Sequence, residues 1–136
     1  MSAHVAEIVV ALGAAERVVA LGGGGEHIDA LARTPRLPGF RQTSAEPLLA
    51  FKPTHLVLAE DRIAPPVLEQ LRTAGVRIEQ LDTEQSPEGA ERRIRQVAQL
   101  LGKVEAGEAL IARFREALRE VADAVAKRKK RPRVLF

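Results

Sequence analysis

Short apolar runs alternate with helix-forming segments along this chain. Residues 5–12 (VAEIVVAL) predict a short helix ended by Gly13, and residues 17–21 (RVVAL) are typical of a strand. Residues 54–60 (THLVLAE) form another short apolar run, and residues 76–81 (VRIEQL) alternate between apolar and polar positions as a half-buried strand does. Because strand-like and helical segments alternate, the pattern predicts an α/β fold with a parallel sheet covered by helices.

Capping and breaking residues mark the helices of the second half. Ser86 precedes Pro87, so it is the expected N-cap of a helix that Gly102 ends. Between residues 104 and 130 apolar positions recur mainly at spacings of three and four, which predicts one amphipathic helix about 40 Å long. Residues 132–136 (PRVLF) end that helix and are typical of the beginning of another strand.

Residues 34–61 hold a loop, a short helix and a buried strand in succession. Ser44 and Glu46 open the helix, and Pro47 is tolerated there because its missing amide would be unpaired in the first turn. Pro53 is the expected end of this helix. Loops next to rigid elements are where a small α/β domain presents its binding groups, so we expect function to depend on this stretch.

Composition narrows the classes of function. The chain has 136 residues, which suits one domain. It lacks cysteine, which excludes disulfides and thiol chemistry, and its only aromatic residues are four phenylalanines, which argues against a base-stacking surface for nucleic acid. No apolar run approaches the roughly 18 residues of a membrane span, and no signal peptide is visible before the first helix.

The positive charge is concentrated at one end of the chain. The net charge is +3, and six of the seven residues in the segment 127–133 are basic. A nucleic acid or an anionic membrane could bind such a run. We favour a solvated helix end, where cations interact well with the helix dipole and the unpaired carbonyls.

Glycine and histidine residues are candidates for ligand contact, although neither forms a complete motif. Residues 22–25 are four glycines, but no Walker or GxGxxG spacing follows, so we expect only flexibility and close backbone approach. His4, His27 and His55 show no zinc-binding spacing. His27, in the glycine loop, is the best placed to reach a ligand, although a lone loop histidine is more often simply a surface residue.

No catalytic arrangement is visible. None of the serines lies in a GxSxG turn, and two of them, Ser44 and Ser86, are better explained as helix caps. Glu60 and Asp61 form an acidic pair at a strand end, but nothing pairs with them as an acid–base partner. Nothing in these residues therefore argues for an enzyme.

Three segments carry a resemblance to a known family. Residues 35–61 (PRLPGFRQTSAEPLLAFKPTHLVLAED) resemble the N-terminal lobe of the periplasmic substrate-binding proteins of haem ABC importers, whose fold is shared with cobalamin and ferric-siderophore binding proteins. Residues 6–21 (AEIVVALGAAERVVAL) and 64–82 (APPVLEQLRTAGVRIEQLD) are similar to the same family. The resemblance covers essentially the whole chain.

The resemblance implies a single α/β lobe with a short parallel sheet and a long C-terminal backbone helix. Residues 1–103 would form the ligand-binding lobe, residues 104–131 the interlobe helix, and residues 132–136 the start of a strand of a second lobe. The implied function is capture of haem or a related tetrapyrrole for delivery to a membrane permease. The implied location is the periplasm.

The resemblance also assigns ligand contacts. In this family a tyrosine supplies an axial oxygen to the haem iron, and here Gly39, Phe40 and Arg41 occupy that motif. Phe40 has no oxygen to ligate iron but could pack flat against a porphyrin. Arg41 could pair with a propionate. His27 is then our candidate axial ligand, because imidazole suits haem iron.

Glu46 matches the family's acidic residue that docks onto permease arginines, although a role in capping the short helix is compatible with its position. Two alternatives remain. The lobe could be a structural or interaction module that does not bind haem, or it could bind a siderophore or cobalamin, since Phe40 lacks the most haem-specific group. An isolated lobe would also expose its cleft face, so self-association or strand exchange is a further expectation.

Overall fold

A computed structural model of the chain describes residues 3–25, 27–37, 43–59 and 63–127. Seven regular elements lie in these ranges. They are α1 (Ala3–Ala11), α2 (Ala45–Leu49), β1 (His55–Leu58), α3 (Pro65–Thr73), β2 (Arg77–Gln80), α4 (Pro87–Leu100) and α5 (Val104–Ala126). Single 3₁₀ turns cover Ala15–Arg17 and Asp29–Leu31.

The sheet consists of β1 and β2, which pair in parallel from His55↔Arg77 to Leu58↔Gln80. Parallel strands need a crossover connection, and α3 supplies it. The prediction of an α/β fold with a short parallel sheet and a long C-terminal helix is confirmed.

Helices cover both faces of this sheet. Leu56 and Leu58 of β1 pack into a core with α2 and α3, whereas Val57 packs into a core with α1 and α4. Successive side chains of a strand point to opposite faces, so these are the two sides of the sheet. A third, smaller core lies under the glycine loop and includes Leu21 and Leu31.

Helix boundaries follow the capping residues. The Ser86 hydroxyl accepts a hydrogen bond from the Gly89 amide at 3.0 Å, so its prediction as the N-cap of α4 is confirmed. Gly102 ends α4 with a φ of 66°, a conformation that glycine adopts without steric cost. α2 ends at Leu49, before Pro53, the residue that the sequence predicts as its end. Lys52, between them, has a φ of 49°.

The strand predicted at residues 17–21 is not formed. A 3₁₀ turn covers Ala15–Arg17, and only Leu21 makes a bridge, in parallel with Arg36. Residues 18–20 and residues 55–57 of β1 line a cavity of about 400 Å³. The prediction was wrong because a strand needs a hydrogen-bonded neighbour, and among the described residues only Leu21 of this segment has one.

α5 packs against α4 along its first half. Gly107 and Ile111 are buried in the contact, and the Arg115 guanidinium donates to both oxygens of Glu91 at 2.6 and 2.5 Å. Farther along, Val121 and Val125 are 60% and 57% exposed. The predicted continuation of this helix to residue 130, and the strand after it, lie outside the described residues, so the division into lobe, helix and strand stays a prediction.

None of the helices in the described ranges is long and apolar enough to cross a membrane.

The Gly107→Ala substitution tests the contact between α4 and α5. A methyl group at Gly107 would lie 2.5 Å from the Ala98 Cβ, too close for both helices to keep their positions. Overpacking costs about 1–3 kcal/mol and the better helix propensity of alanine returns about 1 kcal/mol, so we expect net destabilisation of about 1 kcal/mol in urea unfolding. Ala98→Gly removes the opposing methyl group, so adding it should offset part of this loss. The double variant should therefore be more stable than the sum of the two single effects predicts. An unchanged or raised stability of Gly107→Ala would contradict the contact.

Low pH should weaken the contact between α4 and α5. The hydrogen bond from Arg115 holds the pKa of Glu91 below its ordinary 4.5. A carboxylate whose pKa is lowered by folding stabilises the protein above its ordinary pKa, and this stabilisation disappears as the pH falls through the folded-state pKa. We therefore expect Arg115→Gln to lower the urea midpoint at neutral pH and to lower it less near pH 3. Arg119→Gln, an exposed change on the same helix, is the control and should leave the pH dependence unchanged.

Candidate ligand-binding edge of the sheet

The carboxyl ends of the parallel strands define the candidate site. Ligands of open α/β sheets bind in the crevice beyond these ends. The loop after β2 begins there and leads into α4. Arg17 contacts the Leu101 carbonyl at the far end of α4, and the chain leaves Arg17 in an extended conformation at Val18. Residues 18–21 therefore lead away from that end, which puts the glycine loop after Leu21 on the side of the carboxyl ends. We refer to this region as the carboxyl edge.

An arginine holds the glycine loop at the carboxyl edge. The Arg36 guanidinium donates to the carbonyl oxygens of Gly24 at 2.5 Å and Gly25 at 3.2 Å. Gly24 and Gly25 have φ values of 72° and 75°, which residues with a side chain rarely adopt. The glycines thus allow the chain to direct two carbonyl oxygens towards the Arg36 guanidinium. These contacts fix the conformation of the loop, whereas the sequence pattern predicts only flexibility and close backbone approach.

His27 follows this loop and contacts α1. Its Nε2 lies 2.9 Å from Oε1 of Glu7, and the two side chains are 65% and 53% exposed. The pair orients the imidazole ring, and its exposure means that the ring can turn away at little cost. His27 is therefore accessible to a ligand, as a rim residue should be.

The other two histidines differ from His27 in position. His4 is an exposed residue of α1. His55 begins β1, at the opposite end of the strand from the carboxyl edge, and its Nδ1 lies 2.9 Å from the Thr54 hydroxyl. Among the residues that the structure describes, no three His, Cys, Asp or Glu side chains converge as a metal site.

The loop after β2 is fixed by arginines of α4. Arg92 donates through Nε to Oδ2 of Asp82 at 2.6 Å and also binds the Glu84 carboxylate. The Arg92 hydrogen bond is the main cause that lowers the pKa of Asp82, whereas for Glu84 the hydrogen bond from the Ser86 hydroxyl is the larger cause. Arg93 donates to the carbonyl oxygens of Asp82 and Glu84, so two cations balance the two carboxylates. This loop therefore adds rigidity to the carboxyl edge rather than a net charge for a ligand.

Glu46 lies on a different element from His27. It is an exposed residue in the first turn of α2, and the N-cap residue Ser44 makes no capping hydrogen bond with its side chain. Within the described ranges the Glu46 carboxylate forms no ion pair. Gly39, Phe40 and Arg41, the remaining predicted site residues, lie outside the described residues, as do Glu60 and Asp61.

Sequence reasoning missed Glu7 and Arg36. Glu7 is one of two polar positions in a mostly apolar helix, a pattern that indicates only solvent exposure. Arg36 follows a proline in a loop, where nothing in the sequence distinguishes it from the arginines nearby. Both acquire their roles from contacts between residues distant in sequence, 20 positions apart for Glu7 and His27 and 12 for Arg36 and Gly24.

Comparison with known proteins identifies related chains. The model of the periplasmic binding protein family matches residues 1–136. No curated protein sequence matches at a significant level.

Solved structures of related proteins resemble this chain in sequence and in fold. A periplasmic haem-binding protein from Pseudomonas aeruginosa is 35% identical, with a TM-score of 0.84 over 92% of this chain and 46% of its own. BhuT, a periplasmic haem-binding protein solved with two haems, is 33% identical, with a TM-score of 0.86 over 93% of this chain and 49% of its own. RhuT from Roseiflexus sp. RS-1 is 30% identical, with a TM-score of 0.84 over 96% of this chain and 51% of its own. The chain therefore spans about half the length of these proteins.

The Arg36→Gln substitution tests the hold on the glycine loop. Loss of hydrogen bonds from a charged donor costs about 1.5–3 kcal/mol, so we expect the loop to open roughly tenfold more often and to be cut faster in limited proteolysis. Arg33→Gln, an exposed change in the same connection, is the control. Equal cleavage rates at residues 22–25 in both variants would show that Arg36 does not fix the loop.

Proposed function

The chain belongs to the periplasmic binding protein family, and we propose that it forms one lobe of the substrate-binding component of an ABC importer for haem or a related tetrapyrrole. The observation that carries this proposal is the 30–35% identity to three haem-binding proteins over more than nine-tenths of the chain. The family and these relatives are binding proteins, so the proposed activity is capture without catalysis. The periplasm is the proposed location, by the same family membership.

The ligand contacts proposed for this lobe combine a flat apolar group with a cation. Phe40 offers an aromatic ring to a porphyrin face, and Gly39 beside it lets the backbone approach closely. Arg41 can form paired hydrogen bonds with a propionate carboxylate. The support for these roles is the match of the residues 39–41 to the family motif and the chemistry of their side chains.

His27 is the proposed axial ligand of the iron. In support, its imidazole lies at the carboxyl edge, is 65% exposed and is held by Glu7 on α1. Glu7 contacts Nε2, so coordination through this nitrogen requires the ring to turn away from the carboxylate, and Nδ1 is the alternative donor. Neither route displaces a buried group, because both side chains face solvent.

Glu46 is the proposed contact with the permease. Its carboxylate projects from an exposed helix turn and has no ion-pair partner in the described part of the chain. An exposed carboxylate of this kind can pair with a guanidinium of another protein. This role is independent of the haem contacts, since α2 and the glycine loop are different elements.

Haem titration separates the proposed contacts from one another. Haem and metal-free protoporphyrin IX share propionates and ring, but only haem contains iron. We expect both to bind with roughly micromolar affinity or better. His27→Ala should shift the Soret band and weaken haem binding about tenfold or more while leaving protoporphyrin affinity unchanged, because only the iron ligand is lost. Arg41→Gln should weaken both compounds to a similar extent, because each keeps its propionates.

Two control variants accompany this titration. His4→Ala and Arg33→Gln remove exposed groups of the same types and should alter neither affinity. An unchanged Soret spectrum in His27→Ala would refute the axial role alone. Failure of the unaltered chain to bind either compound at tenfold higher protein concentration would refute the function proposed for this lobe.

A further inference from the structure

We propose that the outer edge of β2 pairs with the same edge of a second copy of this chain, so that two sheets join across a two-fold axis. The outer edge is the side of β2 (Arg77–Gln80) that faces away from β1. Residues 77–80 do not line the cavity beside residues 18–20, and they lie outside the carboxyl edge. The pairing is therefore independent of haem binding.

The ladder between β1 and β2 uses the backbone groups of every second residue of β2. The amides of Arg77 and Leu81 donate hydrogen bonds to the segment that contains β1, at 3.0 and 2.7 Å. Alternate residues of a parallel strand direct their amide and carbonyl groups to opposite sides. Ile78 and Gln80 therefore direct theirs to the outer edge.

These outward groups have no backbone partner within the described ranges. None of the hydrogen bonds between described segments involves the amide or the carbonyl of Ile78 or Gln80. Among the described residues β2 also has a single strand neighbour, since the sheet has the order β1–β2. An unpaired edge is a template for another strand, and a second copy of β2 supplies the matching donors and acceptors.

The charged side chains of β2 make the strand complementary to itself. Glu79 is in register with Val57, so Arg77 and Glu79 lie on the face of the sheet that α1 and α4 cover. In the described part of the chain neither of them forms an ion pair. A cation and an anion two positions apart on one face can form two ion pairs with an antiparallel copy of the same strand.

Charge selects between the two antiparallel registers that the outward backbone groups allow. With Ile78 on the two-fold axis, the two copies of Ile78 exchange both of their backbone hydrogen bonds. Each Arg77 then faces Glu79 of the other copy in a close, non-hydrogen-bonded pair. With Glu79 on the axis, Glu79 faces its own copy, and like charges directly opposite each other are destabilising. The favoured register therefore has Ile78 on the axis.

Ile78 adds an apolar contact on the other face of the sheet. Its side chain packs against the core that α2 and α3 form with β1, and it is only half-buried there. Cα atoms of a hydrogen-bonded antiparallel pair lie about 5.5 Å apart, so the two copies of Ile78 meet on the axis and bury further apolar surface. The contact uses one short strand from each copy, so the dimer should be weak and reversible.

The antiparallel arrangement leaves both carboxyl edges accessible. The strands of the second copy run in the opposite direction, so its carboxyl edge lies at the other end of the joined sheet. Self-association through the cleft face, the arrangement expected from the sequence, would instead cover a carboxyl edge. The two arrangements therefore differ in which residues they bury, and variants of β2 distinguish them.

Reversed charges on β2 test the pairing on the full chain. Sedimentation equilibrium from about 10 μM to about 1 mM should show a reversible monomer–dimer equilibrium. Arg77→Glu and Glu79→Arg each place like charges opposite each other twice, so each should weaken the dimer about tenfold. The double variant restores both ion pairs with their signs exchanged and should dimerise as the unaltered chain does. A mixture of the two single variants should form heterodimers for the same reason.

Control variants and hydrogen exchange accompany this measurement. Arg33→Glu and Glu16→Arg reverse exposed charges outside β2 and should leave the affinity of the dimer unchanged. The amides of Ile78 and Gln80 should exchange more slowly as the protein concentration rises, because they become hydrogen-bonded only in the dimer.

Three results would overturn the proposal. The first is a chain that remains monomeric at about 1 mM. The second is a dimer whose affinity neither single charge reversal changes, as expected for contact through the cleft face. The third is a dimer that both single variants lose and that neither the double variant nor the mixture restores, because the ion pairs would then not set the register. None of these results bears on the haem titration, which concerns the carboxyl edge.

Discussion

Parallel pairing of β1 with β2 is the constraint on which the other elements depend. Because the two strands run in the same direction, the chain must return along a face of the sheet, and α3 makes that return. The strands are buried on both sides by helices, so each face needs its own core. The same direction also places the loops after both strands at one edge, where His27 and its neighbours lie.

Local signals in the sequence located the helices and the two paired strands. Ser86 followed by Pro87 marked the start of α4, and Gly102 marked its end, because capping and φ preferences belong to single residues. Residues 17–21 have the same strand-like composition as β1, yet they form no strand. Strand formation depends on a neighbour, which composition cannot reveal.

The site was less predictable than the fold. His27 was identified because an imidazole in a glycine loop is a chemical signal, but its partner Glu7 comes from the folding of α1 against that loop. Arg36 could not be identified because the acceptors of its guanidinium are backbone carbonyls of Gly24 and Gly25, which every residue possesses. Arg92 likewise serves the loop after β2. The guanidinium groups of Arg36 and Arg92 therefore bind loops of the protein itself.

The contact of Gly107 with Ala98 also determines where the far end of α5 points. The helix is held to α4 along its first half, at Gly107, Ile111 and Arg115, whereas Val121 and Val125 in its second half are exposed, so the angle between the two helices sets the position of its far end. At 1.5 Å per residue, the distance from Gly107 to Ala126 is about 28 Å, and a change of about 5° in that angle would move the end by roughly 2 Å. The absence of a methyl group at Gly107 thus affects the direction of α5 in addition to the stability of its contact with α4.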